Sequence, residues 1–160
     1  MEAVIERIVQ KSSIRVIPYD ERYRAGTLEI AQQIHATSIY AAMPLNEEKL
    51  LRQLATVPDR WFRIAVRGEE VLGGFYGCKV LTFFNDECIT KDIGWWVKPT
   101  ARGGSAAVML LAAFEEWSRS VGAKIAMVGQ TGVENIDGTL RLFQHAGYRL
   151  TGYNTAKDLT

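Results

Sequence analysis

Cysteine is scarce in this chain. Its 160 residues hold two, Cys78 and Cys88, and that pair has neither the number nor the spacing of a disulfide framework or a thiolate metal site. Such usage suits a reducing, cytoplasmic setting, and no metal is expected. Charge of one sign is also missing. Lys plus Arg number 19 and Asp plus Glu 18, for a net charge of +1. No dense basic stripe appears, which removes the electrostatic case for a nucleic-acid partner. Long apolar runs are absent too: the longest, residues 106–114, falls far short of the roughly 20 residues that span a bilayer. No membrane partner is therefore expected. The opening residues Met1-Glu2-Ala3-Val4-Ile5-Glu6-Arg7 carry acids early and lack the apolar core of a signal peptide. Repeats, low-complexity tracts and linkers are lacking, which favours one domain over residues 1–160, with about 1–12 as a flexible or peripheral N-terminus. What remains is ordinary globular composition, 48% apolar and 23% charged, in a chain long enough to bury a sizeable core.

Periodicity gives the element order. Ile14, Val16 and Ile17 make a short strand over 13–18, stopped by Pro18. A helix over about 23–38 places Leu28, Ala31, Ile34 and His35 on one face. After a loop at 41–45, Asn46 caps a second helix carrying Leu50, Leu51 and Leu54, which Pro58-Asp59 ends. Three strands follow, over 61–66, 71–83 and 88–97, with turns at Arg67-Gly68-Glu69-Glu70 and Phe84-Asn85-Asp86. The clearest element comes next: Ala107, Leu110, Leu111, Phe114, Trp117 and Val121 recur at helical spacing, with Glu115, Glu116, Ser118 and Arg119 opposite and Gly122 placed to end the helix. A short strand over 124–129, a helix over 138–146 stopped by Gly147, and a closing strand or strand pair over 148–159 complete the chain. The fold class is α/β (α+β): a mixed, mostly antiparallel central sheet flanked by about four helices, with a right-handed crossover late in the chain.

The junction Val97-Lys98-Pro99-Thr100-Ala101-Arg102-Gly103-Gly104-Ser105-Ala106-Ala107 joins a strand to that amphipathic helix. Its glycines and small residues strip side chains from the helix N-terminus, where bare N–H groups and the positive end of the helix dipole can hold a phosphate or pyrophosphate. A tight turn with no ligand satisfies the same residues. The junction lacks the Gly-Lys-Ser/Thr ending of a P-loop and comes late rather than after the first strand, which disfavours ATP or NAD.

Strand, Val-x-Pro-x-x-Arg-Gly-x-small-x-small, then amphipathic helix resembles the acyl-CoA loop of the GNAT superfamily of N-acyltransferases, Arg/Gln-x-x-Gly-x-Gly/Ala. Arg102 takes the first place, Ser105 the second and Ala107 the last. Downstream, Leu142-Phe143-Gln144-His145-Ala146-Gly147-Tyr148 is similar to the family's Leu-Tyr-Glu-Lys-x-Gly-Phe segment. Arg-Gly-Gly-Ser-Ala, the Glu-Trp of the long helix and Gln130-Thr131-Gly132-Val133 resemble the small GNAT proteins of tailed phages and prophages. The resemblance implies an enzyme that moves an acetyl group from acetyl-CoA to an amine by direct attack in a ternary complex. The pyrophosphate would sit on the N–H groups of Gly103, Gly104, Ser105, Ala106, Ala107 and Val108, flanked by Arg102. A bulged strand splayed from its neighbour would pair with the pantetheine arm through Trp95 and Val97. A backbone N–H near Val97 would polarise the thioester carbonyl. Asn135 lies near a family Asn that touches CoA, one residue out of register with Phe143. Gln130-Thr131-Gly132 would face the cofactor or the acceptor.

Acyl transfer needs a neutral amine, and a lysine-like amine is neutral only about one part in 10³ at pH 7. A carboxylate can take the proton directly or through water. Asp92 is the favoured base, ahead of Glu87 and Asp86; as a bland alternative, Asp92 is an edge-strand carboxylate. The tyrosine that often protonates the departing thiolate in this family is here Phe143, with Tyr148 or Tyr153 as substitutes. That departure favours a second reading, a GNAT-fold module that binds CoA or a protein partner with little or no catalysis. His35, Ser38 and Tyr40 would wall the acceptor pocket, although His35 on the apolar face also reads as a core histidine. His145 reads as solvent-facing. Cys88 has no histidine arrangement to make it a nucleophile, and of Phe83, Phe84, Trp95 and Trp96 most read as core, with one or two lining the pantetheine slot or acceptor mouth. The acceptor is a small-molecule or protein amine, and the closing strands offer a surface for a homodimer.

Overall fold

In the computed structural model, which describes residues 13–56, 59–129, 135–152, 154–157 and 159, the sheet forms around a long antiparallel meander. Strand β1 (Ile14–Pro18) leads through a single 3₁₀ turn into helix α1 (Arg24–Thr37), and a loop leads into α2 (Glu47–Thr56). Asn46 caps α2 as its residue type predicts, its Oδ1 accepting from the Lys49 N–H at 2.9 Å. Strands β2 (Arg60–Arg67), β3 (Glu70–Leu81) and β4 (Cys88–Val97) then run antiparallel. Helix α3 (Ser105–Ser120) crosses to the short strand β5 (Ile125–Met127), and α4 (Ile136–His145) follows. The five strands lie in sequence order, with β5 parallel to β4. This is the mixed, mostly antiparallel sheet with four helices that the periodicity predicts.

Alternation along β2 divides the core between the two faces of the sheet. Trp61 and Ala65 join Phe75, Leu110, Leu111, Phe114 and Phe143 beneath α3 and α4. Phe62, Ile64 and Val66 join Tyr23, Ile30, Val71 and Tyr76 beneath α1. Phe114 is the centre of the first cluster: it is fully buried and stacks on Phe75 at 4.3 Å. A Cβ added at Gly77 would lie 2.7 Å from its ring, so this glycine lets α3 approach the sheet. Phe114→Ala is expected to cost about 3–5 kcal/mol, read as a lower denaturant midpoint at unchanged m-value; a loss under about 1 kcal/mol would mean that the site collapses around the change. In the same layer Thr90 donates to Ser118 Oγ at 2.7 Å, and Ser118 donates to Phe114 O at 2.8 Å, which satisfies the two buried hydroxyls between β4 and α3.

Three expectations are corrected. The described residues of 148–159 form no strand; the segment offers no alternating apolar face, and Leu150 is 56% and Leu159 89% exposed. The dimer surface expected from closing strands thus has no strand behind it among the described residues. Second, β3 ends at Leu81, and Phe83 and Phe84 stand 96% and 91% exposed at the hairpin tip rather than in the core. The turn is fastened by polar groups instead: Thr82 Oγ1 donates to Asn85 Oδ1 at 2.6 Å, and the Thr82 N–H donates to Glu87 O at 2.9 Å. Third, α1 presents Thr27 and Ile30 to the sheet, so His35 lies off the core face. The expected helix end at Pro58 and the N-terminal segment 1–12 lie outside the described residues.

Candidate functional site

Two irregularities in β4 create the site. The first is a bulge. Tyr76 pairs with Gly94 and Gly77 pairs with Asp92, leaving Ile93 unmatched by β3; an extra residue of this kind bends a strand and re-aims its side chains. The second is a parting of strands. β5 pairs with β4 only from Ile89↔Ile125 to Lys91↔Met127, while β4 runs on to Val97. Beyond Lys91 the β5-facing edge of β4 therefore has no ladder partner among the described strands.

Asp92 stands where the strands separate. Its Oδ1 accepts the Gly129 N–H at 2.9 Å, so a side-chain acceptor takes the place that a ladder carbonyl would hold and keeps the two chains apart. Burial raises its pKa from 3.8 to about 6, against the opposing pull of the Gly129 N–H. A carboxylate tuned towards neutrality in a cavity is a general-base candidate.

The junction lies across from this edge. Gly103 has φ +79°, a left-handed conformation in which a side chain is strained. Gly104 caps α3 without a side-chain bond, and no acidic residue occupies the first turn. The N–H groups at the start of α3 thus meet neither an intrahelical carbonyl nor a capping side chain. Arg102 fastens the loop to the strand end, its Nε donating to Val97 O at 3.2 Å, so one acceptor position of the Val97 carbonyl is occupied.

A cavity of about 370 Å³ joins these features. Its floor is β4 from Asp92 to Val97, with Gly129 beside it. Arg102, Gly103 and Ala107 bring in the start of α3; Asn135, Gly138, Thr139 and Leu142 bring in one face of α4; and Ala31, Ile34, His35, Ser38, Tyr40, Leu45 and Leu50 bring in α1, its loop and α2. Of the expected site residues, Asp92, Trp95, Val97, Arg102, Gly103, Ala107 and Asn135 line this space, as do His35, Ser38 and Tyr40.

Others do not. Glu87 is exposed, 3.9 Å from Lys124, and a strand rise of about 3.3 Å per residue sets it about 16 Å along β4 from Asp92. Asp86 lies in the exposed hairpin turn. Phe143 is buried in the core against Trp95 at 5.4 Å and Tyr148 at 5.9 Å: residues 135, 138, 139 and 142 share the cavity face of α4, and Phe143 falls one position round the helix. Ala106 is fully buried, and Gly104, Ser105, Ala106 and Val108 are not among the residues that line the cavity. Tyr148 Oη is buried without a hydrogen-bond partner among the described residues; burial, then the nearby Glu115 carboxylate, pushes its pKa far above the usual range, and it does not reach the cavity lining. Gln130, Thr131, Gly132 and Tyr153 lie outside the described residues. Sequence reasoning missed Thr139 and Leu142 on α4, Gly129, and Ile93 at the bulge; the helical spacing of 135, 138, 139 and 142 was the available signal for the first two. No group of His, Cys, Asp and Glu among the described residues could hold a metal ion, and none of the described helices is long and apolar enough to cross a membrane.

The fold is that of solved GNAT acetyltransferases. It is similar to a GNAT family acetyltransferase of Staphylococcus aureus at TM-score 0.67 and 16% identity, over 92% of this chain and 99% of that one. It is likewise similar to AAC(6')-Iy in complex with the bisubstrate analogue CoA-S-monomethyl-acetylneamine at TM-score 0.74 and 14% identity, over 93% and 99%. An aminoglycoside acetyltransferase from an uncultured soil metagenomic sample, in complex with sisomicin, matches at TM-score 0.68 and 10% identity, over 92% and 97%. No family model matches the chain, and no curated protein matches it in sequence.

Proposed function

We propose that the chain is an acyltransferase that moves an acetyl group from acetyl-CoA to a primary amine by direct attack in a ternary complex. The observation that carries this reading is the open edge of β4, bulged at Ile93 and parted from β5 at Asp92, in one cavity with the N-terminus of α3. The residues present fit a CoA-type donor. A pantetheine arm has amides that can pair with a free strand edge as a peptide does. A pyrophosphate matches the N–H groups of Gly103 to Val108 beside Arg102. The similarity to a protein held with a CoA-based bisubstrate analogue supports the same donor.

The chain's own groups then have defined tasks. Asp92 takes a proton from the amine, directly or through water, so that the nitrogen lone pair can attack the thioester carbonyl. The C–N bond forms, the negative charge passes to the carbonyl oxygen beside a backbone N–H near Val97, and the C–S bond breaks as the charge moves to sulfur. The attacking nitrogen sheds its second proton to water, and the departing thiolate takes a proton from water, since among the described candidates Phe143 has none to give and Tyr148 does not line the cavity. That arrangement keeps the second reading in view: a module of this fold that binds CoA with slow or no turnover.

Incubating the protein with acetyl-CoA and a panel of amines and proteins separates the two. The transferase reading predicts amine-dependent release of free CoA thiol and a product heavier by one acetyl group. Binding of CoA with no release from any amine would favour the module.

A further inference from the structure

We infer that the acceptor is a small apolar amine carrying a single positive charge, and that polycationic amines are excluded. The inference rests on the donor reading above and concerns the wall of the same cavity built by α1, its loop and α2.

That wall is mixed, with four aliphatic side chains among polar ones such as His35, Thr37 and Ser38. Ala31, Ile34, His35 and Ser38 line it at i, i+3, i+4 and i+7 of the α1 stretch, and Leu45 and Leu50 continue it. In the loop after α1, Tyr40 lines the cavity and is 49% exposed. Among the described residues the cavity has one carboxylate, Asp92, and one fixed cation, Arg102. The carboxylates of α1 and α2 are turned to other partners. Glu29 accepts from Gln33 at 3.4 Å and Glu47 from Gln32 at 2.7 Å, while Glu48 lies 3.7 Å from Arg52.

Charge arithmetic decides the class. One ammonium entering the cavity can be matched by Asp92 and lose its proton there. Every further ammonium drawn into the cavity would leave water with no second carboxylate among the described lining residues to meet, and a buried unpaired charge is strongly disfavoured. An apolar body, by contrast, gains from leaving water against Ile34, Leu45 and Leu50. Because the donor's arm shares the same 370 Å³, the part of the acceptor that enters must be small, of the size of a phenylalkyl or branched alkyl group.

The test compares phenethylamine and isoamylamine with sisomicin, as thermal-midpoint shifts of the CoA-loaded protein and as kcat/KM with acetyl-CoA. The inference predicts a midpoint rise and turnover with the monoamines, and a kcat/KM at least 100-fold lower for sisomicin. It also predicts that Leu45→Glu narrows or reverses that ratio by adding an anion at the wall. Equal or better use of sisomicin by the native protein would overturn it. So would a protein that binds CoA yet neither binds nor acetylates any monoamine, a result that leaves the donor reading standing. Failure of CoA itself to raise the midpoint would remove the donor reading and this inference together.

Discussion

Asp92→Asn is expected to lower kcat/KM by about 10²–10⁴-fold, the usual worth of a general base, while making the protein more stable at neutral pH. The two effects have one cause. Burial holds the Asp92 pKa near 6, against an ordinary 3.8, so between these values the folded state binds more protons than the unfolded chain. Stability contributed by this group is therefore full below about pH 4 and lost as pH rises through about 6. The loss at pH 7–8 has a ceiling of about 3 kcal/mol, from roughly two pKa units at about 1.4 kcal/mol each. Asparagine is neutral at every pH, and its Oδ1 can still accept the Gly129 N–H that Asp92 accepts at 2.9 Å. The variant should thus gain about 1–3 kcal/mol at pH 8 and little at pH 4. The kcat/KM profile of the native protein should fall below a pH near 6 with a one-proton slope, and that limb should be absent in the variant. Full activity in Asp92→Asn, or a pH limb that survives the substitution, would remove Asp92 from proton transfer.

Ser105→Glu is expected to weaken CoA binding by at least about 100-fold without unfolding the protein. Ser105 is exposed and is the first residue of α3, behind the uncapped Gly104. A glutamate there favours the helix, because a negative charge at an N-terminus gains about 0.3–1 kcal/mol. The same carboxylate would occupy the N–H groups and repel a pyrophosphate. The apo thermal midpoint should hold or rise while the CoA-induced rise disappears. Unchanged CoA affinity in a folded Ser105→Glu protein would mean that the anion binds elsewhere. Gly103, at φ +79°, explains why the loop can present its backbone at all; the serine variant tests what that backbone holds.

Much of this site was legible in the chain because its parts are local. The bounds of β4, Cys88–Val97, follow from one strand-like run. The long helix follows from the apolar face carried by Leu110, Leu111, Phe114 and Trp117, and the glycines at the junction announce a bare helix start. The parts that escaped depend on partners far along the chain. Ile93 becomes a bulge only through the register of β4 against β3, and nothing in its own neighbourhood marks it. The Asp92–Gly129 bond spans 37 residues. Where β5 leaves β4 is a property of both strands, which the apolar stretch over 124–129 overstated. Phe83 read as strand and Phe84 as a core side chain in a turn, but Thr82 and Asn85 had already closed the turn and left both rings outside. On α4, two adjacent apolar residues point apart, Leu142 to the cavity and Phe143 to the core, a distinction of about 100° of helix rotation that a segment comparison does not resolve.

The central claim is that β4 and the start of α3 together hold a CoA-type donor, and its most direct test is the thermal midpoint of the native protein with acetyl-CoA, CoA, ATP and NAD in turn. The account predicts a stabilisation of about 2.7 kcal/mol with acetyl-CoA or CoA at about 100 times the dissociation constant, and no comparable shift with ATP or NAD. No shift with either CoA ligand, or an equal shift with ATP or NAD, would contradict it.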